Sequence, residues 1–139
     1  MKVKLDKRAV CPMRAHLDDA GLDIYAPSDL TTIAIDAGGS AVIDTGVHVE
    51  IPRGYVGMLK SKSGLNVLRG MVSEGVIDSG YTGSIKVKLY NHGTEPQSVF
   101  GGDKISQLVI LPIITPEVEI VSELEPTERG NNGFGSTGR

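Results

Sequence analysis

Apolar and polar residues alternate with a period of two along most of the chain. Lys2–Leu5 alternates and predicts a short strand. In 20–26, Leu22, Ile24 and Ala26 fall on one face and Asp23 and Tyr25 on the other. Thr31–Asp36 is a third β-rich run. Ser40–Ile51 reads as one long strand carrying Val42, Ile43, Val47, Val49 and Ile51, with Gly46 marking a bulge. Further strands are predicted over Tyr55–Lys60, Met71–Asp78, Ser84–Asn91, Lys104–Leu111 and Glu117–Val121. Met71–Asp78 and Ser84–Asn91 form a hairpin around the five-residue loop Ser79–Gly83. One segment breaks the period. Leu65 and Leu68 sit three apart between Ser63, a good N-cap, and Gly70, a good terminator, so Ser63–Arg69 predicts a two-turn helix. So short a helix needs tertiary contacts to hold it.

Turn signals every 8–12 residues with almost no helix predict an all-β sandwich or barrel. The composition agrees, with 18 Gly and 7 Pro among 139 residues, a length that fits one domain. The net charge of −3 argues against general nucleic-acid binding. The single cysteine, Cys11, excludes an internal disulfide and points to a reducing compartment. No apolar run approaches the roughly 20 residues that span a bilayer, and Met1–Leu5 has no signal-peptide block. The expected location is the cytoplasm, away from membranes. His16, His48 and His92 are scattered and read as structural or surface residues.

The final segment, 129–139, holds four Gly, two Asn, two Arg, Ser136, Thr137 and one apolar side chain, Phe134. It cannot build a core. Its Gly-rich backbone, hydroxyls and arginines suit an anion, and Phe134 suits a flat ring. It is either a frayed tail or a lid for a phosphorylated, aromatic ligand. Residues 1–122 then form the folded body and 123–139 an arm. Four more segments break the strand rules. Asp23 lies mid-strand between apolar neighbours, on a solvated face or at a site. Ser61-Lys62-Ser63-Gly64 opens the helix, where backbone N–H groups attract anions or serve an ordinary cap. Asp78, after Gly75, Val76 and Ile77, sits at a hairpin mouth, where a carboxylate can deprotonate a water or simply start a turn; Tyr81 offers a flat face nearby. Gln107, alternating with Ile105 and Val109, needs a buried partner. No Cys/His cluster suggests zinc, so a metal would be hard and oxygen-bound, such as Mg²⁺ carried by phosphates.

These five segments, in this order, resemble the motifs of the trimeric dUTPase family: 20–26, 62–64, 75–91, 102–108 and 129–138. The resemblance implies a jelly-roll-like β subunit and a homotrimer with three sites built between subunits, each closed by a neighbour's C-terminal arm. The implied reaction takes dUTP and water to dUMP and diphosphate with Mg²⁺, which keeps uracil out of DNA and supplies dUMP for thymidylate synthesis. It casts Asp78 as the group that activates the water, and Asp23 as support for Mg²⁺ through water. Lys62, Ser63, Gly64 and Gln107 would bind phosphate. Gly75, Val76, Ile77 and Lys86 would read uracil through main-chain groups, and Tyr81 would pack on the deoxyribose. Arg129, Gly135, Ser136 and Thr137 would clamp the phosphates, and Phe134 would stack on uracil. Two residues depart from the family pattern. Lys62 stands where Arg is usual and lacks its bidentate fork. Asn132 stands where Gly is common. A dCTP deaminase of the same fold and a non-catalytic nucleotide sensor are the alternatives. The complete arm and Tyr81 disfavour the first, and the presence of both Asp23 and Asp78 disfavours the second.

Overall fold

The computed structural model describes residues 1–133. Ten strands and one helix follow in the order β1 (Lys2–Leu5), β2 (Gly21–Tyr25), β3 (Ile33–Ile35), β4 (Ser40–Asp44), β5 (Val47–Glu50), β6 (Tyr55–Lys60), α1 (Ser63–Arg69), β7 (Met71–Ile77), β8 (Lys86–Asn91), β9 (Gln97–Val99) and β10 (Lys104–Pro112). A six-stranded sheet runs β2-β10-β6-β7-β8-β4, and β1-β5 and β3-β9 form two-stranded ribbons. The all-β expectation with one short helix holds. One contiguous core takes side chains from every strand except β1, including Ile24, Ile43, Leu59, Leu89 and Leu108. For that the sheet must curl and the ribbons must fold against it. None of the described helices is long and apolar enough to cross a membrane.

Several expectations are corrected. The run Ser40–Ile51 is two strands in different sheets, β4 against β8 and β5 against β1. Gly46 is the corner between them rather than a bulge, with φ of 67°. Buried Thr45 fixes that corner: its Oγ1 donates to the Ile85 carbonyl at 2.7 Å and accepts from Val47 N at 3.2 Å. The β7–β8 hairpin with a five-residue loop is also absent. The β7–β8 ladder covers only Met71–Ser73 and stops at the Ser73–Leu89 pair, while Glu74–Ile77 pairs with β6 on the other side. The two strands therefore fork, and Asp78–Ile85 spans the opening. Thr31–Asp36 shrinks to Ile33–Ile35, which pairs with β9, a strand too short to show as alternation. Residues 117–121 form no strand among the described residues.

The helix stops where expected, at Gly70 in the left-handed region, but its N-cap is Lys62, with no side-chain capping bond; Ser63 is the first helical residue. No helix residue is fully buried, and only Leu65 packs on the core.

Candidate active site

The register brings Asp23 and Gln107 side by side. Gln107 pairs with Asp23 of β2 and with Lys60 of β6, so β10 carries it between the two strands. A register shift between Lys104 and Ser106 separates Ile105, which enters the core, from Gln107, which stays half-buried. The partner that Gln107 needs is present: its Nε2 donates to the Ser61 carbonyl at 3.0 Å. Ser61 itself is fixed by β7, accepting from Ser73 N at 2.9 Å and donating to the Ser73 carbonyl at 3.2 Å. Beneath them Ser73 and Ser106 share a buried hydroxyl–hydroxyl bond of 2.8 Å.

Asp23 is not on a solvated face. It is 5% exposed, with its backbone N–H bonded to the Met13 carbonyl at 2.8 Å. Lys62 donates to Oδ1, and Lys104 reaches Oδ2 at 2.8 Å. Burial is the largest single influence on this carboxyl and pushes it up. The hydrogen bonds and charges of Lys104 and Lys62 together outweigh burial and hold it below the ordinary carboxylate range. Lys104 is correspondingly raised, first by its bond to Asp23 and then by that carboxylate's charge. Two ammonium groups are thus held beside the opening of α1 by one buried acid. Lys62, Gly64 and Lys104 also line a cleft of about 330 Å³ whose floor includes Met71, Leu89 and Ile105. Ser63 is exposed on the helix beside it.

The remaining described residues of the third motif gather at the fork. Gly75 lies opposite Leu59, and a Cβ there would come within 3.2 Å of Leu59 Cδ1. Val76 is exposed and Ile77 buried. Because the β7–β8 ladder ends at Ser73, the main chains of 74–77 and 86–88 make no ladder bonds to each other. Lys86 pairs instead with Asp44 of β4. Asp78 is exposed at the end of β7, and its side chain makes no hydrogen bond or ion pair among the described residues. Its carbonyl accepts from Tyr81 N at 3.0 Å. Tyr81 is half-exposed, its hydroxyl donating to the Ser84 carbonyl at 2.9 Å, with its ring over Gly83.

These are two clusters, not one. Ser61 joins β7 at Ser73, and Asp78 lies five residues further along the strand, roughly 16 Å at about 3.3 Å per residue. Arg129 is near neither in any described contact; it donates to the Asn132 carbonyl at 2.9 Å within its own turn. Phe134, Gly135, Ser136 and Thr137 lie outside the described residues.

A protein-family model, dUTPase, matches residues 7–138. The chain belongs to the dUTPase family. A deoxyuridine 5'-triphosphate nucleotidohydrolase of Escherichia phage T5 is 44% identical over 147 aligned residues, spanning 99% of this chain and 98% of the relative. One from Yarrowia lipolytica is 42% identical over 137 residues, spanning 96% and 85%. Among solved structures, a Staphylococcus bacteriophage 80alpha dUTPase with dUpNHpp superposes with TM-score 0.87 at 36% identity, covering 99% of this chain and 98% of that one. A variant dUTPase from phage phi11 of S. aureus, described with a structural Mg(II) ion, gives TM-score 0.78 at 34% identity, covering 89% and 97%.

Within this dUTPase-family fold, Lys104 joins the candidate cluster without a role expected from the motifs beyond its place in 102–108. Lys104 opens β10 opposite Tyr25, two residues along β2 from Asp23, and only the fold brings its ammonium group to that carboxylate. Ser61 stands in the anion-attracting run 61–64, but its own contacts depend on the distant Ser73.

Among the described residues no three His, Cys, Asp or Glu side chains gather as a metal cage. Asp23 is the single acid between Lys62 and Lys104. That donor set fits Mg²⁺ carried in by phosphates and contacted through water.

Proposed function

We propose that the chain hydrolyses dUTP to dUMP and diphosphate, as a homotrimer of jelly-roll-like subunits whose active sites are shared. The observation that carries this is the Lys62–Asp23–Lys104 triad beside Gln107, two ammonium groups pre-set by a buried acid where a triphosphate would lie. On arrival the phosphates would compete with Asp23 for both lysines. Gly64, with no side chain at the cleft, leaves room for close approach, and the Gln107 amide and the Ser63 hydroxyl add donors. Asp23, released by the lysines, would hold Mg²⁺ through water, and the ion would supply charge neutralisation at the triphosphate.

At the other cluster, the free edges of 74–77 and 86–88 suit a base read by main-chain donors and acceptors. Fixed main-chain groups of one pattern reject the cytosine amine, since a mismatched buried group goes unpaired. Tyr81, locked by Ser84 and Gly83, would lie on the deoxyribose and leave no space for a 2′-hydroxyl. Asp78 would take a proton from a water as its oxygen bonds to the α-phosphorus. The bond from that phosphorus to the bridging oxygen breaks, and diphosphate leaves. Arg129 and the arm residues Phe134, Gly135, Ser136 and Thr137 would close the site.

The separation of the two clusters supports sharing between copies, because one chain holds Asp78 too far from Lys62 for both to meet one α-phosphate. The segment after β10 gives independent support. Ile114, Val118, Ile120 and Leu124 are each at least 86% exposed, a row of apolar side chains that a second copy would cover. Turnover in heavy-oxygen water tests the mechanism. Label in dUMP and none in diphosphate is expected; label in diphosphate would place the attack elsewhere.

A further inference from the structure

We propose that His48 is a positioning residue for the Asp78–Ile85 loop, tethering Thr82 most firmly when its imidazole is protonated; its kinetic consequence rests on that loop binding the nucleotide. His48 stands on β5, outside every motif, with its side chain only 18% exposed. Its Nδ1 lies 2.8 Å from the Thr82 carbonyl oxygen and its Nε2 lies 3.3 Å from Asp6 Oδ2. Both partners are acceptors. A neutral imidazole has one N–H and can donate to only one of them, whereas the imidazolium donates to both.

The tether is important because the loop has few others. Among the described residues, 79–84 is tied to the rest of the fold by two side-chain bonds: His48 with the Thr82 carbonyl, and the Ser84 hydroxyl with Asp44. Tyr81 precedes Thr82 directly, and its own hydroxyl bonds within the loop, to Ser84. Its ring is therefore aimed by what holds Thr82 and Ser84. Asp6 is fixed in turn, its N–H donating to the Gly46 carbonyl at 2.9 Å. The chain of contacts runs Asp6–His48–Thr82–Tyr81 and couples the β1–β5 ribbon to the loop.

The charged groups around the ring come from three elements. Asp6 faces Nε2 from the end of β1. Lys4, the cross-strand partner of His48, sits 3.8 Å from the other Asp6 oxygen, and Lys2 and Glu50 pair one step along the same ribbon. Asp44, the last residue of β4, is held below the usual carboxylate range chiefly by the Ser84 hydroxyl against partial burial, with Gly46 N–H, Lys86 and His48 adding to it. A hollow lined by Lys2, Lys4, His48 and Thr82 opens the ring to solvent protons.

The test compares the wild type with His48→Ala, His48→Asn and Asp6→Asn across pH 5.5 to 8.5. In the wild type the KM for dUTP should be lower at pH 5.5 than at pH 8.5, with kcat nearly flat. His48→Ala should raise KM about three- to tenfold at low pH, the worth of one hydrogen bond, and lose the pH step. His48→Asn, whose amide can donate from near the Nδ1 position, should restore most of the KM without the step. Asp6→Asn, which removes the carboxylate facing Nε2, should reduce the step. A wild-type KM in His48→Ala, or a loss confined to kcat, overturns the role. Amide hydrogen exchange over 79–84 without nucleotide reads the tether independently of activity. It should be faster in His48→Ala than in the wild type at pH 6, and equal exchange overturns the proposal. A wild type that turns over no dUTP overturns the hydrolase reading, and the exchange result then still decides the tether.

Discussion

Replacing Asp23 by Asn keeps the shape of the site and removes one charge. The side chain is 7% exposed, while its partners Lys62 and Lys104 are 26% and 45% exposed. Breaking a fully buried ion pair costs about 3–5 kcal/mol, and an exposed pair contributes about 0–1 kcal/mol. This triad lies between, because the acid is buried but both ammonium groups reach water when released. The amide keeps one acceptor oxygen and turns N–H donors toward the other lysine. The expected loss is about 1–2 kcal/mol at pH 7, or roughly 3–8 °C in Tm for a domain of this size. The pH dependence has a definite sign. Burial raises the Asp23 carboxyl, Lys104 and Lys62 lower it further, and the net is a depressed value. A depressed acid stabilises the fold above its unfolded value, about 3.9, and the contribution fades as pH falls through the folded value. Thermal melts at fixed protein concentration should show a Tm gap that is flat from pH 8 to about 5 and begins to close below about 4. Equal Tm values at pH 7, or a gap that widens on acidification, would refute the reasoning.

A Cβ on Gly83 would fall 2.5 Å from Tyr81 Oη and 2.6 Å from Cζ, so Gly83→Ala should push the ring aside, raise KM for dUTP about tenfold and weaken discrimination against UTP in steady-state assays. At Gly21 a Cβ would meet Gln107 Oε1 at 2.3 Å; Gly21→Ala should turn that amide from the Ser61 carbonyl, raising KM and costing about 1 kcal/mol in denaturant melts. Lys62→Ala should act on KM, and Asp78→Asn should lower kcat by about 10²–10⁴. If sites are shared, mixing these two variants after dissociation and reassociation should recover part of the activity, and no recovery would count against shared sites.

The sequence showed local order well and long-range competition poorly. Tyr55–Lys60 and the Gly70 helix stop appear as expected because alternation and a left-handed glycine are local signals. The β7–β8 fork was hidden because the alternation of both strands is compatible with a full hairpin, and only the competing pairing of Glu74–Ile77 with β6 opens it. Thr45-Gly46 looks like a bulge until the Thr45 hydroxyl is seen bonding Ile85, 40 residues away. Asp23 was correctly placed opposite Ile24 and Ala26, yet its burial depends on Lys62, Lys104 and the Met13 bridge, three segments that alternation cannot bring together. Residues 117–121 keep strand-like alternation without a strand partner among the described residues, because alternation is local and pairing is not.

Diphosphate release from dUTP, dCTP, dTTP and UTP with Mg²⁺, for the full chain and for a version ending at Glu128, tests the central claim most directly. Turnover of dUTP alone, largely lost on truncation, is the predicted result. Release from none of the four nucleotides, or ammonia from dCTP instead, would contradict it.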